Sequence, residues 1–95
     1  VVENVTKITV LKRDGRQEEF IPEKIVVSCI KAGAPPDVAR KIAKIVEARI
    51  LESGVNTVEA KELARMILDL LRKENEEWYR NWIIFDRAVK RRKTD

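Results

Sequence analysis

The spacing of apolar residues changes along the chain, and each change marks a predicted element. Val5, Ile8 and Val10 lie in a strand-like run, Asp14-Gly15 is a turn signal, and Phe20 and Ile21 close a return strand, which predicts a β-hairpin over residues 5–21. A two-residue turn would set Phe20 opposite Thr9. A three-residue loop Arg13-Asp14-Gly15, with Gly15 left-handed, sets Phe20 opposite Ile8 and gathers Ile8, Val10 and Phe20 on one face. The second register is expected, because a one-residue slip would invert every side chain of the strand.

From Pro22 onward the spacing is helical. Ile25, Cys29 and Ala32, with Val26 and Ile30, predict a helix over 22–32 that starts at Pro22 and stops at Gly33. Beyond Pro35-Pro36, the positions Val38, Ile42, Ile45, Val46 and Ile50 predict a helix over 36–52, ending near Ser53-Gly54. Thr57 is the expected N-cap of a third helix over 58–73, with Leu63, Ile67, Leu70 and Leu71 on its apolar face. Asn75 is the expected cap of a fourth over 76–90, with Glu76 and Glu77 in its first turn and the stripe Trp78, Trp82, Phe85 and Val89. Gly54–Asn56 is a candidate third strand, and residues 91–95, with no apolar side chain to pack, are expected to fray. Short connections make the expected fold a mostly helical α+β domain spanning 1–95, a four-helix bundle whose open side is covered by a hairpin or three-stranded sheet.

Composition narrows the chemistry. With 95 residues the chain holds one core, and no apolar run approaches the roughly 18 residues of a membrane span. No charged-then-apolar leader opens it, and the lone Cys29 can form neither an internal disulfide nor a cysteine-cluster zinc site, so the expected address is the cytoplasm, without a membrane partner. There is no histidine, which removes the commonest general base and metal ligand and argues against an enzyme. Lys and Arg number 20 against 16 Asp and Glu, so the net charge of +4 reflects a mixed surface. Heavy Lys, Glu and Arg use with one Gln and one Met suggests a thermophilic source.

The densest group of anion-binding side chains is Lys12, Arg13 and Arg16 around the turn, with Lys24 following in the first turn of the first helix. A cation there opposes the helix dipole, and a bound phosphate facing Lys24, the turn cations and free backbone N–H groups would reverse that cost. Solvation of the turn and of Lys24 is the other reading of the same residues. Trp78, Trp82 and Phe85 could form a base-stacking platform, but spacing of i, i+4, i+7 is expected of core, with Tyr79 off the stripe as an adenine neighbour or surface contact. The pairs Glu59/Glu62 and Glu76/Glu77 read as helix-surface charge, and Cys29 as inert core.

Val10-Leu11-Lys12-Arg13-Asp14-Gly15, then Glu18, Phe20 and Lys24, resembles the opening signature of the ATP-cone domain. The similarity continues through Gly54-Val55-Asn56-Thr57 and an aromatic last helix with Tyr79 and Phe85, over roughly residues 5–90. ATP-cones occur at the N-terminus of ribonucleotide reductase large subunits, in the repressor of the genes for those enzymes, and in archaeal 2-phosphoglycerate kinases. The resemblance implies a four-helix bundle with a three-stranded lid. It implies a regulatory, non-enzymatic module that binds ATP or dATP, with magnesium, and couples it to assembly or activity of a host protein through host domains or self-association. It places Lys12, Arg13 and Lys24 on the triphosphate, Glu18 near sugar or base, the Thr57 hydroxyl at the start of the third helix, Lys61 one turn later, and a basic contact of the last helix at Arg87 or Lys90. Two positions depart from the family. Ile21 stands where Asn or Asp usually caps the first helix and meets the nucleotide, and Phe85-Asp86 stands where Tyr-Arg is frequent.

Two other functions remain open on the sequence. One is a nucleic-acid-binding helical domain using Lys90, Arg91, Arg92 and Lys93, although the CxxC pairs of the repressors' zinc ribbon are missing. The other is a cone that has lost its nucleotide and serves only in association.

Overall fold

The computed structural model describes the backbone of residues 7–93 and the side chains of residues 7–85. Val5 of the expected hairpin, the side chains of the basic tail, and Thr94 and Asp95 lie outside the described residues.

Seven elements follow one another: β1 (Thr9–Leu11), β2 (Gln17–Glu19), α1 (Pro22–Ala32), α2 (Pro36–Ser53), β3 (Thr57–Glu59), α3 (Ala60–Glu74) and α4 (Glu76–Lys93). The hairpin has the expected register. Thr9 pairs with Glu19 and Val10 with Glu18, and the Phe20 N–H donates to the Ile8 carbonyl at 2.8 Å. Lys12 N–H donates to the Arg16 carbonyl at 2.8 Å, leaving Arg13-Asp14-Gly15 as the loop with Gly15 at φ 92°. That angle is open to glycine and strained for a residue with a Cβ. Ile8, Val10 and Phe20 are accordingly buried together.

The third strand is a correction. It is formed by Thr57–Glu59, not by Gly54–Asn56, and it runs parallel to β1, giving the order β2-β1-β3. Thr57 is therefore strand and caps no helix. The start of α3 moves to Ala60, with Glu59 in the capping place and no side-chain cap bond. A β-branched pair, Thr57-Val58, alternating exposed and half-buried, wins because β1 has a free edge to satisfy.

The other helix boundaries follow local chemistry. Pro22 and Pro36 each open a helix, where a missing N–H costs nothing, and left-handed Gly33 and Gly54 close α1 and α2. The Asn75 side chain caps α4 by accepting from the Glu77 N–H at 2.8 Å. Helix α4 runs on to Lys93, three residues past its expected end at 90.

Packing links α1 with α2 and α4, and α3 with α2 and α4. The core draws Ile25, Val26 and Cys29 from α1, Ile42, Val46 and Ile50 from α2, and Ile67, Leu70 and Leu71 from α3, under the sheet residues Ile8, Val10 and Phe20. Trp78 and Trp82 pack against it, as the stripe predicts. Tyr79, off the stripe, is half-buried against the core, with Arg72 over its ring at 5.2 Å. Two expected core residues turn outward, Ile30 at 42% exposure and Phe85 at 41%. Among the described residues no helix is long and apolar enough to cross a membrane.

Candidate functional site

The hairpin register decides which polar side chains look inward. Directly paired residues share a face, and alternate residues of a strand return to it. Glu18 stands opposite buried Val10, and Lys12 lies two residues beyond Val10, so both continue the core-facing side of the sheet past its apolar edge. Lys24 comes to the same place from the first turn of α1. Lys12 Nζ lies 3.8 Å and Lys24 Nζ 3.7 Å from a single atom, Glu18 Oε1. Three of the sequence-predicted residues thus form one cluster, with Lys24 68% exposed and Lys12 35%.

The turn sorts its remaining cations. Asp14 Oδ1 accepts from the Arg16 N–H at 3.1 Å and Asp14 Oδ2 from Arg16 Nε at 2.8 Å. The backbone hydrogen bond, then the Arg16 guanidinium, holds the Asp14 carboxyl below its ordinary value. Arg16 is committed to Asp14, whereas exposed Arg13 makes no ion pair among the described residues. A second pairing clears α1 of a competing charge. Both terminal guanidinium nitrogens of Arg40 donate to the Glu23 carboxylate, Nη2 to Oε2 at 3.2 Å, and this hydrogen bonding keeps Glu23 ionised to lower pH. Glu23 is next to Lys24, and its charge is already answered.

Backbone donors contribute less than expected. Pro22 has no N–H, and the Lys24 N–H donates to the Ile21 carbonyl at 3.0 Å, so an anion here meets ammonium groups before it meets the helix terminus. Ile21 itself is extended, 41% exposed, and offers no cap. A shallow depression lined by Glu23, Lys24, Val27 and Ser28 leads away along α1.

The other predicted residues are placed apart from the cluster. Thr57 is exposed on β3, paired with Thr9, on the face opposite to Val10 and Val58. Lys61 is exposed in the first turn of α3. Lys90 lies on α4 with its side chain outside the described residues. Sequence reasoning missed Asn81, whose side-chain amide donates to the Ala32 carbonyl at 2.8 Å and ties α4 to the end of α1. Its only signal was a polar residue between Trp78 and Trp82.

Two ammonium groups around one carboxylate form a net cationic cradle, suited to an anion with several oxygens such as a polyphosphate. Magnesium is a different matter: among the described residues no group of three or more acidic or thiol side chains could hold a metal.

Comparison with known proteins identifies relatives of the chain. The sequence profile of the family described as ATP cone domain matches residues 8–90. The chain is 34% identical over 76 residues to the transcriptional repressor NrdR of Microcystis aeruginosa, a match covering 76% of this chain and 44% of the repressor. It is also 34% identical over 76 residues to NrdR of Rippkaea orientalis, covering 76% of the chain and 42% of that protein. An uncharacterized protein of Archaeoglobus fulgidus is 51% identical over 37 residues, covering 39% of the chain and 79% of that protein. The chain therefore spans less than half the length of the repressors it matches.

Proposed function

Because the chain belongs to the ATP-cone domain family, a family of regulatory nucleotide-binding modules, we propose that it binds ATP or dATP between the sheet and α1 and couples occupancy to assembly or activity of the protein it is part of. In this reading the four helices act as a bundle with the sheet as its lid, and the domain turns no nucleotide over. Lys12, Arg13 and Lys24 hold the triphosphate with its magnesium, and Glu18 meets the sugar or base. The family resemblance also carries Thr57, Lys61 and Lys90, but these stand apart from the cluster, and the geometry supports the triphosphate end of the site formed by Lys12, Glu18 and Lys24. The observation that carries the reading is the convergence of Lys12 and Lys24, from different elements, on one carboxylate oxygen.

Calorimetric titration with ATP, dATP and GTP in magnesium tests it. Saturable binding of ATP or dATP is expected, with a rise in melting temperature reflecting about 2.7 kcal/mol at 100 times the dissociation constant. Lys24→Ala should lower ATP affinity by roughly 10- to 150-fold, the worth of a charge-assisted phosphate contact. Folding should hold, since removing a cation from a helix N-terminus relieves an unfavourable dipole contact. Unchanged melting at millimolar ATP would favour a cone that has lost its nucleotide and serves in association.

A second reading draws on α4, which continues as helix to Lys93 and brings Arg91, Arg92 and Lys93 into a helical segment. If that segment binds nucleic acid, neutralising those three residues weakens DNA or RNA binding and flattens its salt dependence while sparing ATP.

A further inference from the structure

Glu18 is placed where a ligand's phosphate would go. Its Oε1 faces both Lys12 Nζ and Lys24 Nζ, at 3.8 Å and 3.7 Å. These separations exceed the roughly 2.7 to 2.9 Å of a charge-assisted hydrogen bond, and all three side chains are at least one-third exposed. Such pairs are loose and exchangeable. A phosphate oxygen can approach either ammonium more closely than Glu18 does.

We propose that Glu18 is an internal counter-ion that occupies the anion position between Lys12 and Lys24, is displaced by an incoming polyphosphate, and thereby sets which polyphosphates the site accepts. The proposal rests on the nucleotide-binding reading above. Every entering anion meets the same competition, because it must take both lysines from one carboxylate. The displaced carboxylate is then left to water unless the ligand offers it a donor. A ligand with hydroxyl groups beside its phosphates supplies one. Bare inorganic polyphosphate supplies none.

The test is titration of the full chain and of Glu18→Gln with inorganic tripolyphosphate and with ATP, after circular dichroism has confirmed the fold of each variant. Glu18→Gln should bind tripolyphosphate about 2- to 10-fold more tightly, the combined worth of two exposed ion pairs, and the preference for ATP over tripolyphosphate should narrow. Glu19→Gln removes the same charge from the neighbouring exposed position, which pairs with Thr9 on the other face. It should change tripolyphosphate affinity by less than about 2-fold, as a screened surface charge does. In a Lys12→Ala, Lys24→Ala background the gain from Glu18→Gln should vanish. Unchanged or weaker tripolyphosphate binding by Glu18→Gln, or an equal gain from Glu19→Gln, would overturn the counter-ion role. Failure of the unsubstituted chain to bind either ligand would remove the nucleotide reading and this role together, whereas ATP binding with a silent Glu18→Gln would remove this role alone.

Discussion

At Ile21 a half-exposed aliphatic side chain holds a place that favours a hydrogen-bond acceptor. Helix α1 begins there without a side-chain cap, relying on Pro22 to remove one unsatisfied donor and on Glu23 to suit the dipole. Ile21→Asn should therefore stabilise the domain by about 0.5 to 1 kcal/mol, read as a higher midpoint in urea with an unchanged slope. A lower midpoint would show that the partly buried portion of Ile21 contributes more than a cap can. Lys12, Glu18 and Lys24 were legible one by one, as charged residues at the spacing of a known motif. Their meeting at one oxygen was not, because it depends on how the hairpin folds back over α1. Thr57 was misread for a related reason: a hydroxyl before an apolar run has the chemistry of an N-cap, and nothing nearby reveals that β1 claims its backbone.

Among the elements, those whose signals are local were legible. Gly15 and the three-residue loop came with the hairpin register, and the proline starts and glycine stops came with α1 and α2. The parallel strand β3 was not legible, since three residues carry too little alternation and the partner strand lies far back along the chain. The α1–α4 contact depends on a glycine in two ways. Gly33 holds φ 119°, and a Cβ there would come within 2.9 Å of Trp78 Cδ1. Gly33→Ala should thus cost about 1 to 3 kcal/mol, from backbone strain and from displacing Trp78. Thermal unfolding reads the loss, and tryptophan fluorescence reads the shift of the ring. A cost confined to stability, with unchanged native fluorescence, would place the whole effect on the backbone.

For the whole molecule, Cys29 is a built-in reporter. It is fully buried in the core, and burial pushes its thiol up to about 11 from an ordinary 9.0. The folded chain therefore keeps a proton that the unfolded chain gives up, so stability should fall as pH rises from about 9 to about 11, and Cys29→Ala should lack this slope. At neutral pH a thiol reagent should label Cys29 only through unfolding, and ATP, if it binds as proposed, should slow labelling by a factor of one plus the ratio of free ATP concentration to Kd. Labelling as fast as that of a free thiol would contradict the packing of this core.

The sheet is tied closely to two helices. Phe20 and Ile21 alone separate β2 from α1, and β3 passes into α3 with no residue between them. With Ile8, Val10 and Phe20 seated in the core, the sheet is a yoke across the starts of two helices. If a ligand draws Lys12 and Lys24 together as proposed, the load falls on this yoke and on the start of α1, the helix whose other end Asn81 of α4 holds through the Ala32 carbonyl.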